Sequence, residues 1–231
     1  MIDSASSRFA GPTRSDISDL YYDAAEWQRP IKAKSVDKEI FRVRRVDHAW
    51  NVFLEQQKRD KQTTTLRRTV AASNDLKRLE SDVVDKTWDG KWFHKNIVKQ
   101  TLQPSLNIQF DRLALDATSI EGPIRLTVDQ NIHCRMHSEL VDPVNVATIQ
   151  LPMHLVRMKY FVSLPAIFKS LIYEFALLPQ RTSVYRQCVL HRPIDQCAAI
   201  YRSPSSTETM SAEPLSAATV SDSQGATCQF G

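Results

Sequence analysis

The chain has 231 residues, 42% of them hydrophobic, and a formal net charge of +4, enough to bury one substantial core in a single domain with appendages. Its longest apolar region, residues 155 to 178, is broken by Arg157, Lys159, Pro165, Lys169 and Glu174, which leaves no window near the roughly 20 uninterrupted residues of a membrane span. Glycine occurs only at 11, 90, 122, 225 and 231, so GxGxxG, GxxxxGK[ST] and GxSxG are all excluded, and with them the common nucleotide-binding loops and the nucleophile elbow.

Along the chain, residues 1–16 read as a flexible N-terminus without the apolar centre of a secretory signal. A first strand is expected at "ISDLYYD" (17 to 23). Further strands follow at "EIFRVRRV" (39 to 46), "WNVFLEQQK" (50 to 58) and "TTTLRRTV" (63 to 70), where β-branched and aromatic residues recur at period two. "ASNDLKRLESDVV" (72 to 84) is a candidate helix, and "DGKWFHKNIVKQTL" (89 to 102) is a stronger one, with Trp92, Ile97, Val98 and Leu102 in an apolar stripe. "SLNIQFDRLAL" (105 to 115), "PIRLTVDQ" (123 to 130) and "ATIQLPMHLVRMKYFV" (147 to 162) are again strands. "LPAIFKSLIYEFAL" (164 to 177) is a helix with Pro165 in its first turn. The folded body spans 17–200, and 201–231, rich in Ser, Thr and Ala, is expected to be disordered. The fold class is α+β, antiparallel, with two or three flanking helices.

Cys134, Cys188, Cys197 and Cys228 lack CxxC spacing in a chain large enough not to need staples; free thiols in a reducing compartment, and hence a cytoplasmic address, are the expectation. From Ser203 onward there is no Lys or Arg but three acids, Glu208, Glu213 and Asp222. Removing those three negative charges from the total of +4 leaves +7 on the body, a balance that favours anionic partners.

The basic residues have a pattern. Arg42 and Arg44, Arg67 or Arg68, Arg112, Arg125, and Arg157 with Lys159 each fall in the middle of an expected strand. A closed or strongly curved sheet would gather them inward; a plain sheet would hold them on one wet face, and periodicity alone leaves both open. The basic strands carry Val, Ile and Leu rather than stacking aromatics, which argues against nucleic acid.

Eight stretches in order carry a resemblance. "LYYDAAEWQ" looks like "LYFDTPDL" and "FRVRRV" like an "R-x-R" strand. "VFLEQQKRD" is similar to "FLE-x-K", "LRRTV" to the basic strand after it, and "LNIQFDRLAL" to "V-x-Y-x-R-x-A". With h for an apolar residue, "IRLTVDQNI" matches "hR-h-T-h-D", "LVRMKYFVSLP" matches "hhE-h-K-Y-x-x-x-hP", and "LIYEFALLPQRTSVY" matches "hI-x-x-F-x-L-x-x-x-x-S-K-Y". All belong to the VTC domain, the catalytic domain of vacuolar transporter chaperone polyphosphate polymerases, in the triphosphate tunnel metalloenzyme (CYTH-like) group. This chain resembles a divergent, N-terminally short member.

The resemblance implies an antiparallel β-barrel forming a triphosphate tunnel, incomplete here at its first strand. It implies phosphate binding by Arg42, Arg44, Arg67, Arg112, Arg125 and Lys159, a metal ligand in Glu55, and Mg²⁺ or Mn²⁺ for catalysis. The implied activity is a phosphotransferase passing the ATP γ-phosphate to polyphosphate. The implied partners are polyphosphate, ATP or another phosphorylated ligand, and a membrane-associated or full-length VTC-like chain. Four family positions are altered: the lysine of "FLE-x-K" is Gln57, the tyrosine of "V-x-Y" is Phe110, the metal glutamate of "hhE-h-K" is Arg157, and the lysine of "S-K-Y" is Val184. These changes remove catalysis more readily than binding, so the alternative is a non-catalytic module for phosphoryl ligands. Which residues are catalytic, if any, is unknown from the sequence.

Overall fold

A computed structural model describes residues 11–24, 39–59, 64–119, 122–136, 148–180 and 182–191, and the backbone of 226–230. Ten strands form one sheet: β1 (Thr13–Ala24), β2 (Glu39–Val46), β3 (Asn51–Arg59), β4 (Thr64–Ala72), β5 (Leu102–Ser119), β6 (Gly122–Met136), β7 (Thr148–Gln150), β8 (His154–Lys159), β9 (Leu178–Pro179) and β10 (Ala226–Phe230). The helices are a 3₁₀ segment Ser73–Glu80, α1 (Lys91–Gln100), α2 (Ala166–Glu174) and α3 (Val184–Leu190). Strand order is β4-β3-β2-β1-β5-β6-β8-β10-β9, with β7 beside β6. Pairing is antiparallel except for β10, which lies parallel to β8 and β9. The α+β class holds, and among the described residues the sheet is open, with β4 and β9 at its ends.

The period-two pattern divides the sheet into two unlike faces. On the outer face, Phe41 and Val43 of β2 and Val52 and Leu54 of β3 pack with Phe93 and Ile97 of α1. Residues that alternate with them along the strands, Arg42, Arg44 and Glu55, point to the inner face. There Ile17, Tyr21, Ile108, Phe110, Ile132 and Leu155 form a second cluster that takes in Val184, Tyr185, Cys188 and Val189 of α3. A third cluster, around Met158, Phe168 and Leu177, seats α2.

A bulge lets long β6 serve the inner face along its whole length. Between the pairs Asp111↔Gln130 and Gln109↔His133 the register shifts, and Asn131 adopts a left-handed φ of 52°. Two residues of β6 there oppose one of β5, which reverses the alternation. Asp129 before the bulge and Ile132 and Cys134 after it therefore share the inner side.

Several sequence expectations need amending. Strand β1 begins at Thr13, inside the stretch read as flexible. The 72–84 helix is a 3₁₀ segment ending at Glu80. The strand expected over 147–162 splits into β7 and β8, and Pro165 caps α2 from outside rather than opening its first turn. Helix α3 was not anticipated: it has seven residues, too short for an apolar stripe, with the Ser183 side chain accepting from the Arg186 N–H as its cap. The tail expected to be disordered contributes β10, whose "ATCQF" is rich in strand formers; residues 192–225 of the body end and tail lie outside the described residues. Free thiols are overturned for two cysteines: Cys134 and Cys188, 54 positions apart, form a disulfide between β6 and α3. Their spacing carried no signal because only the folding of α3 into the inner face brings them together. With that bond, cysteine usage no longer argues for a reducing compartment.

Gly90, at the N-cap of α1, is required by space rather than by dihedral. A Cβ there would lie 2.5 Å from a Trp88 ring carbon and 2.6 Å from Leu54 Cδ1. Gly90→Ala should destabilise the fold by about 1–3 kcal/mol through overpacking, measurable as a lower urea midpoint at unchanged slope.

Candidate functional site

The inner face gathers five arginines and three carboxylates from seven strands. Asp19 (β1), Glu55 (β3) and Asp129 (β6) are all fully buried at 0% exposure. An unpaired carboxylate in that setting is prohibitively costly, and each of these is clamped by arginine. Arg44 grips Asp19 bidentately, Nε to Oδ1 at 2.7 Å and Nη2 to Oδ2 at 2.6 Å. Arg42 donates from Nε to Glu55 Oε2 at 2.6 Å, and its Nη1 lies 3.7 Å from Asp19 Oδ2 and 3.4 Å from the Tyr21 hydroxyl. Arg68 Nε takes the other Glu55 oxygen at 2.7 Å. On the far side of β1, Arg112 grips Asp129 at 2.7 and 2.9 Å, and Arg157 Nη2 donates to the same Oδ2 at 2.7 Å.

These groups act on one another across the sheet. The Arg157 guanidinium on β8 feels Arg44 on β2, and Lys159 feels Arg42, although three strands separate β8 from β2 in the sheet order. Ile40 of β2 and Leu155 of β8 belong to one buried cluster with α3, so the sheet curves into a groove, and of the two arrangements left open by the sequence the gathered one is found, with Arg42, Arg44, Arg112 and Arg157 mostly buried in it.

Charge within the groove is uneven. Burial pushes Asp19 upward, but Arg44 and Arg42 outweigh it and hold the carboxyl down at about 2. Glu55 is likewise lowered: Arg42 and Arg44 overcome the effect of burial. At the β8 end the balance reverses. Burial pulls Arg157 down to about 10 despite Asp129, with Arg112 and Arg44 adding repulsion. Lys159 is lowered by burial and by Arg157, Arg125, Arg112 and Arg42. Among the described residues no carboxylate lies within ion-pair distance of Lys159, and it sits directly opposite Arg125, whose own partner, Asp116, is a half-exposed pair at 3.3 Å. Lys159 and Arg125 thus bring two cations together at this mouth of the groove.

Of the residues proposed from sequence, Arg42, Arg44, Arg112 and Lys159 line the groove, with Arg125 at its mouth. Arg67 lies elsewhere: its guanidinium carbon stacks 4.2 Å from the Trp92 ring centroid on the outer face, and Arg68, its neighbour, takes the inner position. Glu55 is in the groove. The altered position Arg157 faces inward, Phe110 lies 5.1 Å beneath the Arg112 guanidinium, Val184 opens α3 and is buried, and Gln57 shares the inner side of β3 across from Ile40. Asp19, Asp129 and Tyr21 were missed as site residues, and Arg68 stood only as the alternative to Arg67. The signal for Asp129 was present, since the "hR-h-T-h-D" match ends on it.

The chain matches the VTC domain over residues 3–191. It belongs to the VTC domain family. No curated protein matches it. Membership points to a polyphosphate polymerase-related or CYTH-like family. No helix among the described residues is long and apolar enough to cross a membrane.

The family's divalent metal finds no fitting donor set here. A hard cation of the Mg²⁺ class needs carboxylate oxygens free to face it, whereas both oxygens of Glu55 are engaged by guanidinium groups and both of Asp129 likewise. Among the described residues no three His, Cys, Asp or Glu side chains converge.

The pH dependence follows from Asp19. Its folded value of about 2 lies below the ordinary 3.8, so its contribution of about 2 kcal/mol is fully present above pH about 4 and is lost as pH falls toward 2. Urea titrations between pH 5 and pH 2 should show this slope. Asp19→Asn should flatten it while costing about 3–5 kcal/mol at pH 7, because Arg44 is left buried without its partner.

Proposed function

We propose that this VTC domain binds a linear phosphoanion, polyphosphate or the triphosphate of a nucleotide, in its arginine groove without a divalent metal and without transferring phosphate. The observation that carries this reading is the occupation of every buried carboxylate of the groove by arginine, together with Arg157 at the family's metal-glutamate position. Phosphoryl transfer depends on positioning and on neutralising charge over the transferring group, largely by metal. The groove keeps the positioning cations and offers the metal nothing.

Binding needs no rearrangement of the ion pairs. An arginine has five N–H donors; Arg44 and Arg112 each spend Nε and Nη2 on a carboxylate, which leaves the remaining donors for non-bridging phosphate oxygens. The carboxylates fix the guanidinium planes in advance, so little entropy is lost when the ligand arrives. At the mouth, Lys159 supplies a compact point charge with no acid to displace.

Calorimetry with inorganic triphosphate in EDTA is the test. Binding should persist without Mg²⁺ or Mn²⁺, and Lys159→Ala should weaken it about tenfold or more with the melting temperature unchanged, as one charged hydrogen bond is lost. Strictly metal-dependent binding, or polyphosphate made from ATP with Mn²⁺ above the level of an Arg42→Ala, Arg44→Ala control, would overturn the reading in favour of a working polymerase.

A further inference from the structure

The cations of the inner face form a row that crosses the sheet rather than following one strand. Lys159 and Arg157 stand on β8, Arg112 on β5, Arg42 and Arg44 on β2, and Arg68 on β4, with Glu55 held between Arg42 and Arg68. There the row reaches the open end of the sheet, since among the described residues β4 pairs with β3 alone. On the other side of β4 stands Arg67, whose guanidinium carbon lies 4.2 Å from the Trp92 ring centroid. Trp92 Nε1 donates to Thr69 Oγ1 at 2.8 Å, which ties α1 to the same strand. Arg68 and Arg67 therefore flank the edge with only one strand's backbone between them.

Beyond Trp92 the positive charge continues. Lys91, Lys95 and Lys99 recur every four residues on α1 and are all exposed, on the side away from the buried Phe93, His94 and Ile97. Lys95 and Lys99 follow Trp92 by three and seven positions, which sets them on the flank of the helix beside that ring. Like charges at this spacing repel, and an exposed helix ordinarily offsets them with acids three or four residues away. Neither β4 nor α1 contains an acid. Asp85 and Asp89 precede the helix, and Asp85 is taken by Arg78. Lys91 Nζ donates to the Lys86 carbonyl oxygen at 3.0 Å, and among the described residues no carboxylate lies within ion-pair distance of any of the three lysines.

We propose that β4 and α1 form an external track for the part of a linear polyphosphate that the groove cannot hold: the chain leaves past Arg68, rounds the open edge at Arg67 and lies along Lys99, Lys95 and Lys91. The proposal rests on the groove being a phosphoanion site. Exposed lysines bind an anion weakly on their own. With one stretch of the chain already seated in the groove, each further contact is intramolecular, so weak contacts add up to affinity that grows with chain length. A phosphate chain fits this surface better than a single-stranded nucleic acid. The ring beside the lysines, Trp92, is covered by Arg67 and meets Phe93 edge to face, and cations without an open ring recognise charge and not bases.

The experiment titrates the full chain and its Lys91→Gln, Lys95→Gln, Lys99→Gln variant with inorganic triphosphate and with long-chain polyphosphate. Triphosphate affinity should be the same for both proteins, while the variant should bind the long chain roughly tenfold more weakly. Its slope of log affinity against log salt should be shallower by about 2, three contacts at about 0.7 each. Helix content and melting temperature should hold, because the substitutions remove like charges from an exposed face. In the wild type, long-chain polyphosphate but not triphosphate should protect Lys95 and Lys99 from acetylation, read by peptide mass spectrometry. Equal weakening of both ligands, or weakening of neither, would overturn the track and leave the groove reading intact. A single-stranded oligodeoxynucleotide that binds more tightly than polyphosphate and is weakened by the same variant would overturn it in favour of a nucleic-acid surface. Failure of the wild type to bind triphosphate at all would sink the groove reading, and its continuation over α1 with it.

Discussion

Three carboxylates buried to 0% exposure on the inner face are the constraint on which the rest of this structure depends. Each would cost several kcal/mol if left alone in a low dielectric, and the chain meets that cost by bringing arginines from neighbouring strands onto both oxygens. Such clamping is geometrically possible because Arg44 falls opposite Asp19 between β1 and β2, Arg42 and Arg68 fall opposite Glu55 on either side of β3, and Arg112 falls opposite Asp129 between β5 and β6. A slip of one residue in any of these ladders would turn the arginines outward and leave the acids buried without partners. The ion pairs thus penalise wrong registers far more than they stabilise the right one.

The same clamping determines what the groove can take. In a site built for a divalent cation, acids face the lumen and the cation joins them to the substrate. Here guanidinium groups face the lumen and the acids stand behind them, so the surface a ligand meets is a layer of N–H donors. Arg157 completes the inversion. It shares Asp129 with Arg112 at 2.7 Å, which puts two cations on one carboxylate beside Lys159. On the binding reading proposed above, a chain of phosphates, each carrying charge and several acceptors, would meet cations contributed by five strands.

How much of this was legible in the sequence depends on whether a residue's role was fixed locally. The alternation of "FRVRRV" fixed the inward direction of Arg42 and Arg44 without any knowledge of neighbours. Arg67 and Arg68 are adjacent, so their faces are opposite by necessity, but which one points inward is decided by Trp92 on α1, 25 positions after Arg67, and no local pattern reports it. Asp16, Asp19 and Asp23 all lie in β1, and only the position of Arg44 across the ladder makes Asp19 the buried one. The four altered family positions were visible as single substitutions, yet the meaning of Arg157 required Asp129 beside it. Helix α3 and the disulfide were illegible for the same reason: a seven-residue helix has too few turns to show periodicity, and cysteines 54 apart pair only once the helix has entered the curve of the sheet.

The two faces of the sheet also divide its labour. Outside, α1 and the 3₁₀ segment cover β2, β3 and β4 with Phe93, Ile97 and Leu79, a conventional helix-on-sheet layer that supplies rigidity without touching the groove. Inside, apolar side chains and α3 fill the region next to Cys134, while charged groups occupy the remainder. An open sheet has no ring of hydrogen bonds to hold its curvature, so the curvature of this one has to be maintained by what it encloses. The bulge at Asn131 makes this possible: by reversing the alternation of β6 it places Asp129 and Cys134 on the same side, so that one strand ends in the ion-pair network and in the apolar plug at once. Curvature and charge arrangement are consequently a single coupled property, and a change in the packing of α3 is felt through Tyr185, Tyr21 and Arg42 in the ion-pair network.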